Sequence, residues 1–97
     1  MTLTLHREVQ RDTAEFLRYY DEIGGCPLGD AFFEDLMARL ARIGDQPRRF
    51  PPWRGENRRA NLTRFPCHIL FRIAGEQVRV LVVRHHRRHP EFGLNRR

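Results

Sequence analysis

The hydrophobic residues of this chain change their spacing between Ile43 and Arg58, and this change constrains the fold more than any other feature. Before it, apolar side chains recur every three or four residues, which is typical of amphipathic helices. After it, apolar and polar residues alternate, which is typical of β-strands. We therefore predict one α+β domain, residues 1–97, in which a helical layer packs on a sheet.

Two helices are predicted in the first half of the chain, from about Arg7 to Ile23 and from about Leu28 to Ile43. Between them, the sequence Gly-Gly-Cys-Pro ends the first helix, because glycine favours a helix C-terminus and proline cannot continue the helix. So short a link favours an antiparallel helical hairpin. A strand, Thr2–Leu5, precedes the first helix. The apolar stripe of the second helix consists of Phe32, Phe33, Leu36, Met37, Leu40 and Ile43.

Three strands are predicted in the second half, at Arg58–Thr63, Cys67–Ile73 and Gln77–His85. They are joined by short links and should pair as an antiparallel meander. The last strand carries apolar residues on both faces, which indicates a central strand or one whose second face a partner covers. The predicted order is β-α-α-β-β-β. This is a two-layer α+β fold with the N-terminal strand and the helical hairpin packed on an antiparallel sheet.

All 18 strongly basic residues of the chain are arginines, because the sequence contains no lysine. These arginines are unevenly distributed. Residues 1–47 hold five arginines against nine acidic residues, whereas residues 48–97 hold thirteen against three, a net charge of +10. This asymmetry predicts a basic surface in the second half that binds nucleic acid or an acidic protein segment. Chemistry that needs a lysine amine is excluded, whereas guanidinium groups suit phosphate and carboxylate ligands.

Six of these arginines are predicted to bind a target or a phosphate, namely Arg59, Arg64, Arg72, Arg84, Arg87 and Arg88. Strict alternation would place Arg84 on one face of its strand together with Val78, Val80 and Val82. Guanidinium groups that converge on one sheet face could bind phosphates or an acidic peptide. The alternative is a solvated strand edge whose charges discourage aggregation.

Histidines cluster at the end of the last predicted strand, where His85 and His86 are candidate catalytic residues if the chain cleaves RNA. Histidine titrates near neutral pH and can act as a general acid or base, and a neighbouring arginine could stabilise the anionic transition state. Alternatively, these residues have structural or partner-binding roles, as have His89 and His68. Their spacing, also with Cys67, matches no standard zinc pattern, so no metal site is predicted.

Other features narrow the class of protein further. Cys26 and Cys67 lie far apart, so both are predicted to be reduced, in a cytoplasmic protein. No signal peptide or membrane-spanning segment is recognisable. No glycine-rich phosphate loop or catalytic triad motif is found, and no cofactor is predicted.

Five aromatic residues lie among the arginines and could stack on bases or belong to the core: Phe50, Trp53, Phe65, Phe71 and Phe92.

Two segments resemble a known family. Residues 64–72 read Arg-Phe-Pro-Cys-His-Ile-Leu-Phe-Arg, and residues 80–92 read Val-Leu-Val-Val-Arg-His-His-Arg-Arg-His-Pro-Glu-Phe. They resemble the RelE/ParE superfamily of type II toxin–antitoxin toxins, whose pattern is R-F-P-Y-x-I-x-Y-R and then V-L-x-V-x-H-x-R-R-x-P-x-Y-W. The resemblance implies a bacterial cytoplasmic toxin that inhibits growth, supports plasmid stabilization and is neutralised by a cognate antitoxin, often through an acidic segment. RelE-like members cleave mRNA on the ribosome, and ParE-like members inhibit DNA gyrase.

This chain departs from the family pattern at positions that matter for RNA cleavage. Phe92 and Gly93 stand where many members carry tyrosine and tryptophan, and Cys67 replaces an aromatic residue. Lysine-dependent nuclease sites are excluded, which leaves His85 or His86 together with the arginines. We therefore favour a ParE-like toxin that binds gyrase without catalysis. The alternatives are a RelE-like, ribosome-dependent mRNA endoribonuclease and a non-toxic nucleic-acid-binding member of the family.

Overall fold

A four-stranded sheet with a helical layer on one face makes up the computed structural model, which describes residues 1–97. The sheet has the strand order β1-β4-β3-β2. A single turn of 3₁₀ helix, Pro47–Arg49, follows the helical layer. The strands are β1 (Thr2–Leu5), β2 (Asn57–Asn61), β3 (Cys67–Ala74) and β4 (Gln77–His85), and the helical layer is α1 (Val9–Asp45).

Helix α1 is a hairpin of two arms rather than one straight rod, because the chain reverses at Gly25 (φ 74°, ψ −179°). Glycine adopts this left-handed φ without the steric cost that a side chain would bring. The rings of Phe16 and Phe32 lie with centroids 5.3 Å apart, whereas a straight helix would separate them by about 24 Å. The predicted antiparallel helical hairpin is therefore confirmed.

The predicted antiparallel meander is confirmed, since β2 pairs with β3 and β3 with β4 in antiparallel register. Strand β1 adds a parallel pairing with β4, so that the complete sheet is mixed. The predicted bounds of β1 and β4 are confirmed as well. Strand β2 ends two residues before the predicted Thr63, because the backbone N–H groups of Thr63 and Arg64 donate to the Asp35 carboxylate instead of a strand neighbour.

A bulge in β4 changes which residues face the helices. Leu70 lies opposite Val82, and Phe71 lies opposite Val80, so Leu81 is the extra residue. Val78 and Val80 pack in the main core beside the helical hairpin, whereas Val82 packs in a separate cluster. The prediction that Val78, Val80 and Val82 share one face is therefore wrong, because strict alternation fails at a bulge. Arg84 follows Val82 onto the face turned away from the helices, here called the outer face.

The main core lies between the sheet and the helical hairpin, and a smaller cluster lies on the outer face. The smaller cluster contains Leu70, Leu81 and Val82. Trp53 covers it together with Phe92 and Leu94 of the C-terminal tail, which is the segment of residues 86–97 after β4. On the second arm of the hairpin, Phe33 and Met37 remain 44% and 40% exposed, so the sheet covers only part of the predicted apolar stripe. No helix is long and apolar enough to cross a membrane.

Candidate functional site

The outer face brings basic residues of three sequence segments together. The register of the sheet places Arg84 of β4 directly opposite His68 of β3, and Arg59 of β2 opposite Leu70. His86 follows β4 by one residue, and its ring stacks on that of His68 with centroids 5.1 Å apart. Residues that are far apart in the sequence therefore form one cluster, because antiparallel pairing aligns them across neighbouring strands.

Four of these side chains form a continuous hydrogen-bond chain, here called the histidine–arginine chain: Arg84, His68, His86 and Arg59. Arg84 Nε–H donates to His68 Nε2 over 2.9 Å. Because Nε2 accepts, neutral His68 carries its proton on Nδ1 and donates it to His86 Nδ1, also over 2.9 Å. Arg59 Nη2 donates to the same His86 nitrogen over 3.2 Å. The proton of neutral His86 is therefore on Nε2, its second ring nitrogen.

Both imidazoles of the histidine–arginine chain, those of His68 and His86, are held in the neutral form. Burial and, to a lesser extent, the nearby charges of Arg59 and Arg84 together lower the pKa of His68 to about 3. Burial also lowers the pKa of His86, again with help from Arg59. Each ring nitrogen that could take up a proton already accepts a hydrogen bond from a neighbour. The two rings therefore act as hydrogen-bond links rather than as proton carriers near neutral pH.

The low pKa of His68 predicts a loss of stability in acid. Above pH 6.5 the ring is neutral in both the folded and the unfolded chain. Between pH 6.5 and about pH 3 only the unfolded chain gains the proton, so the free energy of unfolding falls as the pH falls. The slope from this residue is at most about 1.4 kcal/mol per pH unit. Urea unfolding at pH 7, 5.5 and 4.5 measures it. A His68→Gln variant should show a flatter dependence, and parallel curves for the two proteins would contradict this account.

Arg84 is 4% exposed and holds the C-terminal tail on the sheet. Its Nη1 donates to the backbone carbonyls of His89, Pro90 and Phe92 at 3.3, 2.8 and 2.8 Å. Its guanidinium also lies 4.9 Å from the centre of the Trp53 ring. None of its hydrogen-bond partners is a carboxylate, so the positive charge remains without a direct counter-ion. Arg84 thus fastens the tail and makes the surface above it electropositive.

The other predicted binding arginines lie outside the histidine–arginine chain. Arg72 is on the outer face opposite Arg79, four residues along β3 from His68, a separation of about 13 Å. Arg64 is exposed in the turn between β2 and β3. Arg87 and Arg88 are exposed after β4, with Arg88 lying 3.9 Å from the centre of the Phe92 ring. The six arginines therefore form several separate groups and not one converging set.

His85 and His86 contact different groups, although their ring centroids lie 6.4 Å apart. His86 joins the histidine–arginine chain on the outer face. His85 instead lines a cavity with Phe16 of α1, and its Nδ1 accepts the backbone N–H of Arg87. The two candidate catalytic residues therefore have different hydrogen-bond partners. No group of three or more His, Cys, Asp or Glu residues is arranged to hold a metal ion.

Arg54 also belongs to this site, although no sequence pattern singles it out. Its guanidinium lies 5.2 Å from the centre of the Trp53 ring, and its Nη1 donates to the Glu91 carboxylate over 2.6 Å. Its backbone has a φ of 52°, which is uncommon for a residue other than glycine. The only sequence signal was the Arg54-Gly55 pair in a proline-containing loop, which indicates a turn but no partner for the side chain.

Comparison with known proteins gives matches to a family and to solved structures. Residues 3–90 match the model of a family described as the ParE toxin of the type II toxin–antitoxin system, parDE. Ten chains of solved structures match as well. One of them, titled as a chromosomal ParDE TA system from P. aeruginosa, has a TM-score of 0.78 and 18% sequence identity, and the match covers 88% of this chain and 95% of that chain. No curated protein matches. At this level of identity, the structural match shows a shared fold.

Proposed function

Because this chain belongs to the ParE toxin family of type II toxin–antitoxin systems, we propose that it arrests growth in the cytoplasm by binding DNA gyrase without catalysing a reaction. We further propose that a cognate antitoxin binds the basic surface and neutralises the toxin. The match covers most of the chain and includes the helical hairpin, β2, β3, β4 and all of β1 except Thr2. Family membership supports the toxin role, and the geometry of the outer face supports a binding role.

The histidine–arginine chain is the observation that carries the non-catalytic proposal. Cleavage of RNA by its 2′-hydroxyl needs a base that removes a proton and an acid that delivers one to the leaving oxygen. His86 Nδ1 cannot easily act as a base, because Arg59 and His68 both bind it. The neutral ring is also a very weak acid at Nε2. His86 can donate a hydrogen bond to a ligand, but its surroundings oppose proton transfer.

Charge supports the proposed antitoxin contact. Only three acidic residues accompany the thirteen arginines of residues 48–97. An acidic antitoxin segment would therefore meet a surface of opposite charge, which speeds association and favours the correct orientation. The exposed guanidinium groups of Arg64, Arg87 and Arg88 can each bind a carboxylate through two parallel hydrogen bonds. We propose these arginines, together with Arg59 and Arg72, as the contacts to antitoxin or target.

The second candidate function is ribosome-dependent mRNA cleavage, and one observation favours it. The Arg59 guanidinium and the Nε2–H of His86 are hydrogen-bond donors on the same side of the sheet, and both could bind a phosphodiester. His85, which lies outside the histidine–arginine chain, would then have to serve as the acid or base. This function requires at least one of these two histidines for proton transfer.

Alanine substitutions of the two histidines test which function applies. We expect His85→Ala, His86→Ala and the double variant to arrest growth as the unsubstituted chain does, because none of these rings transfers a proton in the proposed function. Loss of a general acid or base costs a nuclease about 10²–10⁴-fold in rate. Growth after induction in bacterial cells measures the effect. Circular dichroism should show that the variants remain folded. Loss of toxicity in a folded His85→Ala or His86→Ala variant would contradict the non-catalytic proposal.

A further inference from the structure

The cationic part of the outer face already holds a piece of polypeptide, namely residues 89–92 of this chain. Arg84 Nη1 donates to the carbonyls of His89, Pro90 and Phe92. Arg54 binds the Glu91 carboxylate, and the Arg88 guanidinium covers the Phe92 ring. The Phe92 ring and Trp53 pack against the small apolar cluster of the outer face. Backbone carbonyls, one carboxylate and one aromatic ring are therefore the groups that this surface binds.

This segment lies on the surface and is not enclosed by it. Every residue from His86 to Glu91 is exposed. The Arg54–Glu91 pair has side chains that are 50% and 65% exposed, and such pairs contribute little to stability. Gly93 differs from its neighbours, because it is buried and a Cβ placed on it would lie 2.8 Å from Val82 Cβ. The close packing of Gly93 against Val82 and the hydrogen bonds from Arg84 thus keep the segment on the sheet.

Glu91 is the acidic residue that lies near three positively charged arginines, Arg54, Arg59 and Arg84. Arg54 and Arg59 both act electrostatically on the buried Arg84 guanidinium, and Glu91 opposes them. The two other acidic residues of this half, Glu56 and Glu76, make no ion pair. A carboxylate at the position of Glu91 is therefore favoured by the field of three arginines. A second carboxylate could bind there only after Glu91 has left.

We propose that the outer face around Trp53, Arg54 and Arg84 is a peptide-binding surface that residues 89–92 occupy in the free chain. A partner segment that carries a carboxylate next to an aromatic ring competes with these residues for the surface. The proposed function supplies the identity of this partner, which is a segment of the antitoxin. The tail then acts as an internal competitor that lowers the affinity of the antitoxin by the fraction of time it occupies the surface.

The first test displaces the tail in the full-length chain and adds the peptide acetyl-HPEFGL-amide, which has the sequence of residues 89–94. Gly93→Ala should detach the tail, because the side chain would meet Val82 and the φ of 84° is unfavourable for alanine. Trp53 is the only tryptophan, so its fluorescence reports both the exposure of the surface and the binding of the peptide. We expect the variant to bind the peptide roughly tenfold more tightly than the unsubstituted chain.

Two matched controls accompany this test. Gly75→Ala places alanine at a similar φ of 63° in the turn between β3 and β4, where a Cβ meets nothing within 4 Å. It should leave peptide affinity and Trp53 fluorescence unchanged. A peptide with glutamine in place of glutamate should bind the Gly93→Ala protein roughly two- to fivefold more weakly, because the exposed ion pair with Arg54 is lost. The proposal is overturned if the Gly93→Ala protein exposes Trp53 and does not bind the peptide, or binds both peptides equally. It is also overturned if single-stranded oligothymidine binds this surface and the acidic peptide does not.

Glu91→Gln keeps the proposal testable if Gly93→Ala does not fold. This substitution removes one exposed ion pair and should raise peptide affinity roughly two- to fivefold. Glu76→Gln removes the same charge far from the tail and should have no effect; equal affinities for the two variants would overturn the proposal. The peptide assay needs neither gyrase nor growth. A chain that binds the peptide but does not arrest growth would refute only the proposed function, and a toxic chain that fails the peptide test would refute only this inference.

Discussion

Asp12→Ala is expected to lower the free energy of unfolding by about 3–5 kcal/mol, because it leaves a buried charge without its partner. The Asp12 carboxylate binds the Arg96 guanidinium through two contacts of 2.7 and 3.1 Å, and these side chains are only 7% and 12% exposed. The same carboxylate accepts the backbone N–H of Val83. Arg96 also donates to the carbonyl of Leu81. The pair therefore provides hydrogen-bond partners for the backbone N–H of Val83 and the carbonyl of Leu81, which lie on β4 beyond the end of its pairing with β1.

Equilibrium urea unfolding at pH 7 measures this effect, and a more exposed ion pair at the N-terminus of the same helix provides the control. Glu8 lies 3.5 Å from Arg11, and both side chains are more exposed than those of Asp12 and Arg96. Glu8→Ala should therefore cost less than about 1 kcal/mol. The double variant Asp12→Ala with Arg96→Ala should cost less than the sum of the two single changes, because the two side chains interact directly. Equal effects of Asp12→Ala and Glu8→Ala would show that the buried pair does not stabilise the fold.

The second large effect is expected in living cells. Induction of this chain alone should lower colony counts by orders of magnitude, because a toxin without its antitoxin binds its target freely. Co-expression of the antitoxin should restore growth, since in the proposed function the antitoxin binds the basic surface and removes the free toxin. The Asp12→Ala variant serves as a stability control, because a less stable chain should be less toxic at the same expression level. Normal growth in the presence of soluble, folded chain would contradict the toxin role.

The parts of the fold that depend on local sequence could be predicted, and those that depend on distant contacts could not. The helical hairpin follows from Gly25 and Pro27, and the meander follows from short links between alternating segments. The Asp12–Arg96 pair joins residues 84 positions apart, and no local pattern indicates it. The bulge at Leu81 also leaves no signal, because every residue from Val80 to Val83 is apolar. Without the bulge, the faces of β4 were assigned incorrectly.

The candidate site shows the same division. The sequence indicates a basic surface in the second half and singles out both His85 and His86. The structure places only His86 between Arg59 and His68. The sequence could not indicate that the Arg84 side chain is buried on the outer face and binds the tail, because this burial depends on how residues 89–92 fold back. An arginine near the end of a buried strand is ordinarily exposed. The arrangement of the tail thus decides which arginines remain free for a partner.

The proposed mode of action is tested most directly by a gyrase supercoiling assay with the purified chain. A parallel in-vitro translation reaction maps any cuts in the mRNA. If the chain binds gyrase without catalysis, supercoiling should stop at toxin concentrations comparable to that of gyrase, and the mRNA should remain intact. The His85→Ala/His86→Ala double variant should behave in the same way. Cleaved mRNA together with undisturbed supercoiling would contradict the proposal and establish the chain as a ribosome-dependent endoribonuclease.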